Sequence, residues 1–143
     1  MPTRYCIVGQ GVAGIAAAQA IRAADAAGPI TLISDDPHGY YSRPGLAYYL
    51  TGEIQRGHLF PWREQEFQQL GLHRVLGRAI SLNPAEHRLW LANNVPLVYD
   101  RLLLATGASA VRPTLPGSDL PQVIKLDNLA DADQMLALAR QAQ

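Results

Sequence analysis

The chain opens on a short apolar run, Tyr5-Cys6-Ile7-Val8, which stops at a glycine. Consecutive apolar, partly β-branched positions predict a strand over residues 4–8, buried on both faces. An Ala-rich stretch follows. Residues 12–27 predict a helix suited to close packing on a sheet, ended by Gly28-Pro29. Ile30-Thr31-Leu32-Ile33-Ser34 repeats the β-branched pattern and closes at Asp35-Asp36-Pro37. Strand, helix and strand make one β-α-β unit, so the two strands are expected to run parallel with a right-handed crossover.

The pattern then loosens. Residues 37–61 are rich in Pro, Gly and Tyr, with a short helix expected at Leu46–Leu50. A stretch of this length with little regular structure in a compact domain is usually functional. Trp62–Leu70 predicts a short helix with Phe67 and Leu70 inward, ended by Gly71. From Leu72 to Leu91 the positions alternate, with turns at Asn83-Pro84 and Asn93-Asn94. Two or three antiparallel strands are expected there, as a small β-meander. Arg101–Ala105 predicts a fully buried strand that rejoins the parallel sheet, ended by Thr106-Gly107. Arg112-Pro113-Thr114-Leu115-Pro116-Gly117 is an extended connector, and Val123–Leu126 predicts a short strand. Asn128–Arg140 predicts a helix, with Asn128 as N-cap, Asp131 at the capping-box position, and an apolar stripe of Leu129, Ala132, Leu136 and Ala139.

Gly9, Gly11 and Gly14 fit G-x-G-x-x-G at the strand-to-helix turn. Each has a job a side chain would spoil. Gly9 makes the tight turn, Gly11 lets backbone approach a pyrophosphate, and Gly14 lets helix pack on strand. N–H groups at the helix start then face phosphate, where the helix dipole favours negative charge. Asp35, at the end of the second strand, suits a carboxylate that accepts hydrogen bonds from adenosine ribose hydroxyls. Asp36 takes that role if the strand ends one residue later. Both are also ordinary turn formers before Pro37. Arg43 can pair with a pyrophosphate or ribose oxygen, or stand as a surface Arg in a turn. Tyr40, Tyr41, Tyr48 and Tyr49 read mostly as packing residues, with one available to a planar cofactor. The fold class is therefore α/β: a Rossmann-like parallel sheet with flanking helices and a small antiparallel β-meander.

The bulk numbers narrow the function. The chain has 143 residues, 48% of them hydrophobic, and balances 12 basic against 12 acidic residues. No nucleic-acid or membrane surface is expected from that charge, and no apolar run reaches transmembrane length. Cys6 is the only cysteine and lies inside a strand, so it reads as a small buried hydrophobe in a reducing, cytoplasmic compartment. No signal peptide is read at the N-terminus. His38, His58, His73 and His87 lack metal-ligand spacing, and neither G-x-S-x-G nor a P-loop occurs. The chemistry is expected to belong to a bound cofactor.

Taken together, Gly9–Gly14 with Ala18, Ile30–Asp35, the segment Tyr41-Ser42-Arg43-Pro44-Gly45-Leu46-Ala47-Tyr48-Tyr49-Leu50 and Leu103-Leu104-Ala105-Thr106-Gly107-Ala108 form a pattern. It resembles the N-terminal FAD-binding region of the FAD-dependent pyridine nucleotide-disulfide oxidoreductase superfamily, in its rubredoxin, ferredoxin and nitrite reductase branch. The resemblance implies that Gly9, Gly11, Val12, Ala13 and Gly14 hold the FAD pyrophosphate and Asp35 the adenosine ribose. It implies that Arg43 and Pro44 contact the diphosphate and flavin side, and that Ala79 meets the adenine through its backbone. Ala105, Thr106 and Gly107 form a second contact, and Arg112 a further one. Tyr48 stands near a position where members often carry a flavin-contacting Lys. Pro44 occupies the place of the redox Cys of thiol-active branches, so disulfide chemistry on this chain is not expected.

On this resemblance, residues 1–117 form an FAD-binding domain, incomplete relative to the family, and 118–143 lead toward an NAD(P)H-binding domain beyond the chain. Electrons would pass from NAD(P)H through FAD to a redox protein or small molecule. The chain alone is expected to lack NAD(P)H-linked turnover, and apolar surface left uncovered predicts self-association into a homo-oligomer. The alternatives are a non-enzymatic Rossmann-type nucleotide-binding or interaction module, and an NAD-binding dehydrogenase domain.

Overall fold

The computed structural model describes residues 1–141. The chain divides into two compact units. One comprises Met1–Tyr40 and Trp62–Gly107, the other Tyr41–Pro61 and the residues from Ala108 onward.

The first unit is built on a four-stranded parallel sheet of β1 (Tyr5–Val8), β2 (Ile30–Ser34), β3 (Leu72–Leu76) and β7 (Arg101–Leu104), in the order β3-β2-β1-β7. Helix α1 (Val12–Ala24) crosses from β1 to β2, and α3 (Glu64–Gln69) precedes β3. An antiparallel sheet of β4 (Ala79–Asn83), β5 (Arg88–Leu91) and β6 (Pro96–Val98) fills the chain between β3 and β7.

Alternation along β1 and β2 sends side chains to both faces of the parallel sheet, and both faces are covered. Ile7, Ile30 and Leu32 pack with Ile15 and Ala18 of α1 and Phe67 of α3. Cys6, Val8 and Ile33 pack on the other face with Leu89 and Leu91 of β5 and with Tyr99. Burial of each large aliphatic side chain contributes about 1.5–3 kcal/mol. Cys6 lies inside this core, and burial pushes its thiol up to about 11, which keeps it protonated and inert.

Four expectations need correction. Leu72–Leu76 is not part of the meander. It is a parallel strand, paired with β2 from Ile30↔Leu72 to Ser34↔Leu76, and the third meander strand is Pro96–Val98. β7 is not fully buried: it edges the sheet, with Leu103 39% and Leu104 56% exposed. α1 stops at Ala24 rather than residue 27. The Asp25 carboxylate accepts from the N–H groups of Ala27 (3.0 Å) and Gly28 (2.8 Å), a local alternative to another helical turn. Val123–Leu126 forms no strand.

The second unit packs Tyr41, Leu46 and Leu59 against Leu129 and Ala132. Its helices are α2 (Gly45–Leu50), a 3-10 turn (Arg56–Leu59) and α4 (Leu129–Gln141). Asn128 caps α4 as expected: its side-chain oxygen accepts from Asp131 N–H at 2.9 Å, while Asp131 accepts from Asn128 N–H at 3.3 Å. Of the expected stripe, Leu129 and Ala132 are buried, Leu136 is half-buried and Ala139 is exposed. No helix among the described residues is long and apolar enough to cross a membrane.

Candidate functional site

Parallel pairing brings the carboxyl ends of β1, β2, β3 and β7 to one edge of the sheet. The turns that follow them therefore lie side by side. These turns carry Gly9–Gly14, Asp35-Asp36, Gly77-Arg78-Ala79 and Ala105-Thr106-Gly107. The chain runs from β1 to β2 on one side of β1 and returns as β7 on the other, so the glycine turn sits where the strand order reverses. Open α/β sheets bind ligands at such a point.

The turn after β1 is specified by the protein's own backbone. Gly9 has φ +111°, and a Cβ there would overlap the carbonyl oxygen of Ala105; a Cβ on Gly14 would overlap the carbonyl oxygen of Gly9. Gly11 differs, since a Cβ there would meet nothing within 4 Å. The fold does not need glycine at position 11, but a ligand brought up to this backbone would. No side chain caps α1, and its first turn holds no acidic residue. Val12 and Ala13 are exposed there, so the N–H groups of this turn are open to an anion. Room and donor chemistry both fit a dinucleotide pyrophosphate.

Two ties hold the turn in place. Gly9 N–H donates to the Ile33 carbonyl at 2.8 Å, and the Gln10 side-chain amide donates to the Asp36 carbonyl at 2.9 Å. The Asp36 carboxylate accepts from His38 N–H at 2.9 Å, and the Asp36 N–H donates to Ser34 Oγ at 3.1 Å. Asp36 is thus engaged in its own turn. Asp35 faces outward, with its carboxylate 3.8 Å from Arg78. Ala79 begins β4 directly after Arg78. Ala105 N–H continues the β1 pairing by donating to Val8 at 2.7 Å, while Thr106 and Gly107 are exposed, the latter with φ +67°.

Arg43, Pro44, Tyr48 and Arg112 belong to the second unit. Arg43 donates to the Asp127 carbonyl at 2.8 Å, and its guanidinium lies 6.0 Å from the Tyr41 ring centre. Pro44 is the N-cap of α2. Tyr48 is exposed, as is Arg112, which lies in a stretch without regular structure. Tyr41 is buried, and its hydroxyl accepts from Leu129 N–H at 3.0 Å. The Tyr49 hydroxyl donates to Asp133 at 2.8 Å, and burial with that carboxylate raises its pKa. Sequence reasoning missed Gln10 and Arg78. Gln10 has no signal beyond its place in the glycine turn. Arg78 would have been found had Leu72–Leu76 been placed beside β2.

A family model described as pyridine nucleotide-disulphide oxidoreductase matches residues 3–142. The chain is 36% identical over 132 residues to the NADH-dependent phenylglyoxylate dehydrogenase subunit epsilon of Aromatoleum evansii, covering 91% of this chain and 31% of that protein. It is 35% identical over 130 residues to the ferredoxin–NAD(+) reductase component of the biphenyl dioxygenase system of Paraburkholderia xenovorans, covering 90% and 32%. Among solved structures, a ferredoxin reductase from Rhodopseudomonas palustris superposes with a TM-score of 0.89 at 30% identity, over 97% of this chain and 35% of that one. The chain spans about a third of the length of these relatives.

Proposed function

The chain belongs to the pyridine nucleotide-disulphide oxidoreductase family, and from that premise we propose that it is the FAD-binding part of a flavoprotein that passes electrons from NAD(P)H to a ferredoxin-type redox protein. The observation that carries the reading is the Gly9–Gly14 turn. Its outer glycines serve the fold, and its middle glycine has open space beside it, which supports the reading that a ligand comes up to the backbone there. In this reading Gly11, Val12 and Ala13 receive the pyrophosphate, Asp35 the adenosine ribose and Ala79 the adenine. Ala105, Thr106 and Gly107 bound the site on the β7 side. Arg43, steadied by the Asp127 carbonyl and next to Pro44, contacts the diphosphate and flavin side, with Tyr48 and Arg112 as further contacts.

FAD supplies a ring that accepts a hydride and releases electrons one or two at a time. The residues of this chain bind and orient it. No second G-x-G-x-x-G occurs in the 143 residues, so none of them is assigned to NAD(P)H. Electrons pass outward in this reading because Pro44 stands where thiol-active branches carry their redox cysteine, and Cys6 is buried. Ferredoxin is the acceptor class suggested by the relatives' names.

The test is to purify the chain from cells supplied with FAD and desalt it. Flavin absorbance that stays with folded protein and is displaced by excess ADP is the expected result. A folded protein that emerges colourless and takes up neither FAD nor ADP overturns the reading.

A further inference from the structure

We propose that Arg78 is a positioning residue at the adenosine end of this site. It holds the Asp35 carboxylate toward the ribose hydroxyls, and it turns into a phosphate-pairing group only when that carboxylate is removed. The inference rests on the functional reading above. Asp35 and Arg78 follow neighbouring strands whose last paired residues are Ser34 and Leu76. The backbone under Arg78 is fixed from both sides: Gly77 N–H donates to the Ser34 carbonyl at 2.8 Å, and Ala92 N–H donates to the Arg78 carbonyl at 2.8 Å. A rigid base therefore carries a long cationic side chain to within 3.8 Å of the Asp35 carboxylate.

The pair is poorly placed to stabilise the fold. The side chains of Arg78 and Asp35 are 75% and 61% exposed, and exposed pairs add little to stability. Its location gives it another use. It stands at the carboxyl edge of the sheet, at the turn that leads into Ala79. A carboxylate that must accept two ribose hydroxyls gains from a fixed direction, and a 2′-phosphate is repelled by it. Once the carboxylate is removed, the remaining guanidinium becomes a phosphate-pairing group.

The measurement is calorimetric titration of the purified chain with ADP and with 2′,5′-ADP, alongside the unliganded melting temperature. R78Q is expected to weaken ADP binding about three- to fivefold without moving that melting temperature, and R78K to restore it. D35N is expected to shift the preference toward 2′,5′-ADP by about tenfold, and D35N/R78Q to lose that shift. Wild-type affinity for ADP in R78Q overturns the inference and leaves the site reading intact. So does a D35N shift that persists without Arg78. Failure of the wild-type chain to bind either ADP or FAD overturns both.

Discussion

The two ends of the β1–β7 strand pair are built on opposite principles. At the amino end, side chains tie the strands together. Arg4 Nε and Nη2 reach both carboxylate oxygens of Asp100 at 3.0 and 2.8 Å, and Arg4 N–H adds a third bond at 2.8 Å. The Arg4 carbonyl accepts from Asp100 and Arg101 N–H at 2.9 and 3.1 Å. At the carboxyl end, Gly9, Gly11, Gly14 and Gly107 have no side chains with which to tie the strands. Backbone packs on backbone between Gly9 and Ala105, and the N–H groups beyond are left open. One end is clamped by a charged side-chain pair, and the other is held by backbone contacts and the Gln10 amide, with no side-chain cap on the helix that follows.

That contrast is broken most severely at Gly14. G14A forces a Cβ into the Gly9 carbonyl, with no flexible side chain to give way. We expect a loss of about 3 kcal/mol or more and a melting temperature lower by on the order of 10 °C, read by thermal unfolding. G9A is expected to behave alike, with positive φ adding to the strain. An unchanged melting temperature in both would mean that the turn is not interlocked as described.

G11A separates ligand from fold. Its Cβ enters open space, so the unliganded melting temperature should stay within about 2 °C. ADP binding should weaken by at least about tenfold, because the pyrophosphate can no longer approach the backbone. A variant that binds like wild type would remove the ligand-based reason for glycine there.

The smallest effect is expected at the amino end, where it depends on pH. The Arg4 guanidinium and N–H hold the Asp100 carboxyl well below the usual carboxylate range. A carboxyl whose pKa is lowered on folding contributes stability above its unfolded value, 3.8, and loses it as pH falls through the folded value. D100N should therefore be less stable than wild type at neutral pH, and the two should converge in acid below that value. Parallel curves from neutral pH down into acid would show that the pair adds nothing to stability.

Much of this was legible in the chain because it is local. The apolar runs of β1 and β2, the glycine spacing, and the reciprocal cap of Asn128 and Asp131 all rest on neighbours within a few residues. The sequence favours Asp35 as the outward carboxylate, with Asp36 in reserve if the strand ends one residue later, since both suit a turn before Pro37. The bond from His38 N–H engages Asp36 and leaves Asp35 outward.

The rest was decided by pairings between distant segments. Leu72–Leu76 alternates as a meander strand would, yet it pairs with β2 some forty residues earlier in the chain. Arg101–Leu104 reads as a buried strand, because an apolar run looks the same at the edge of a sheet as at its centre. Strand order carries no local energy, so neighbouring residues cannot encode it. It is fixed when the whole sheet closes over Ile7, Leu32 and Ile33, and the same step sets Arg78 beside Asp35. The sequence by itself determined the glycine turn and the strands and helix around it. Only the tertiary structure decided which of its glycines the fold requires and which stands beside open space, because that depends on the backbone brought up to each one.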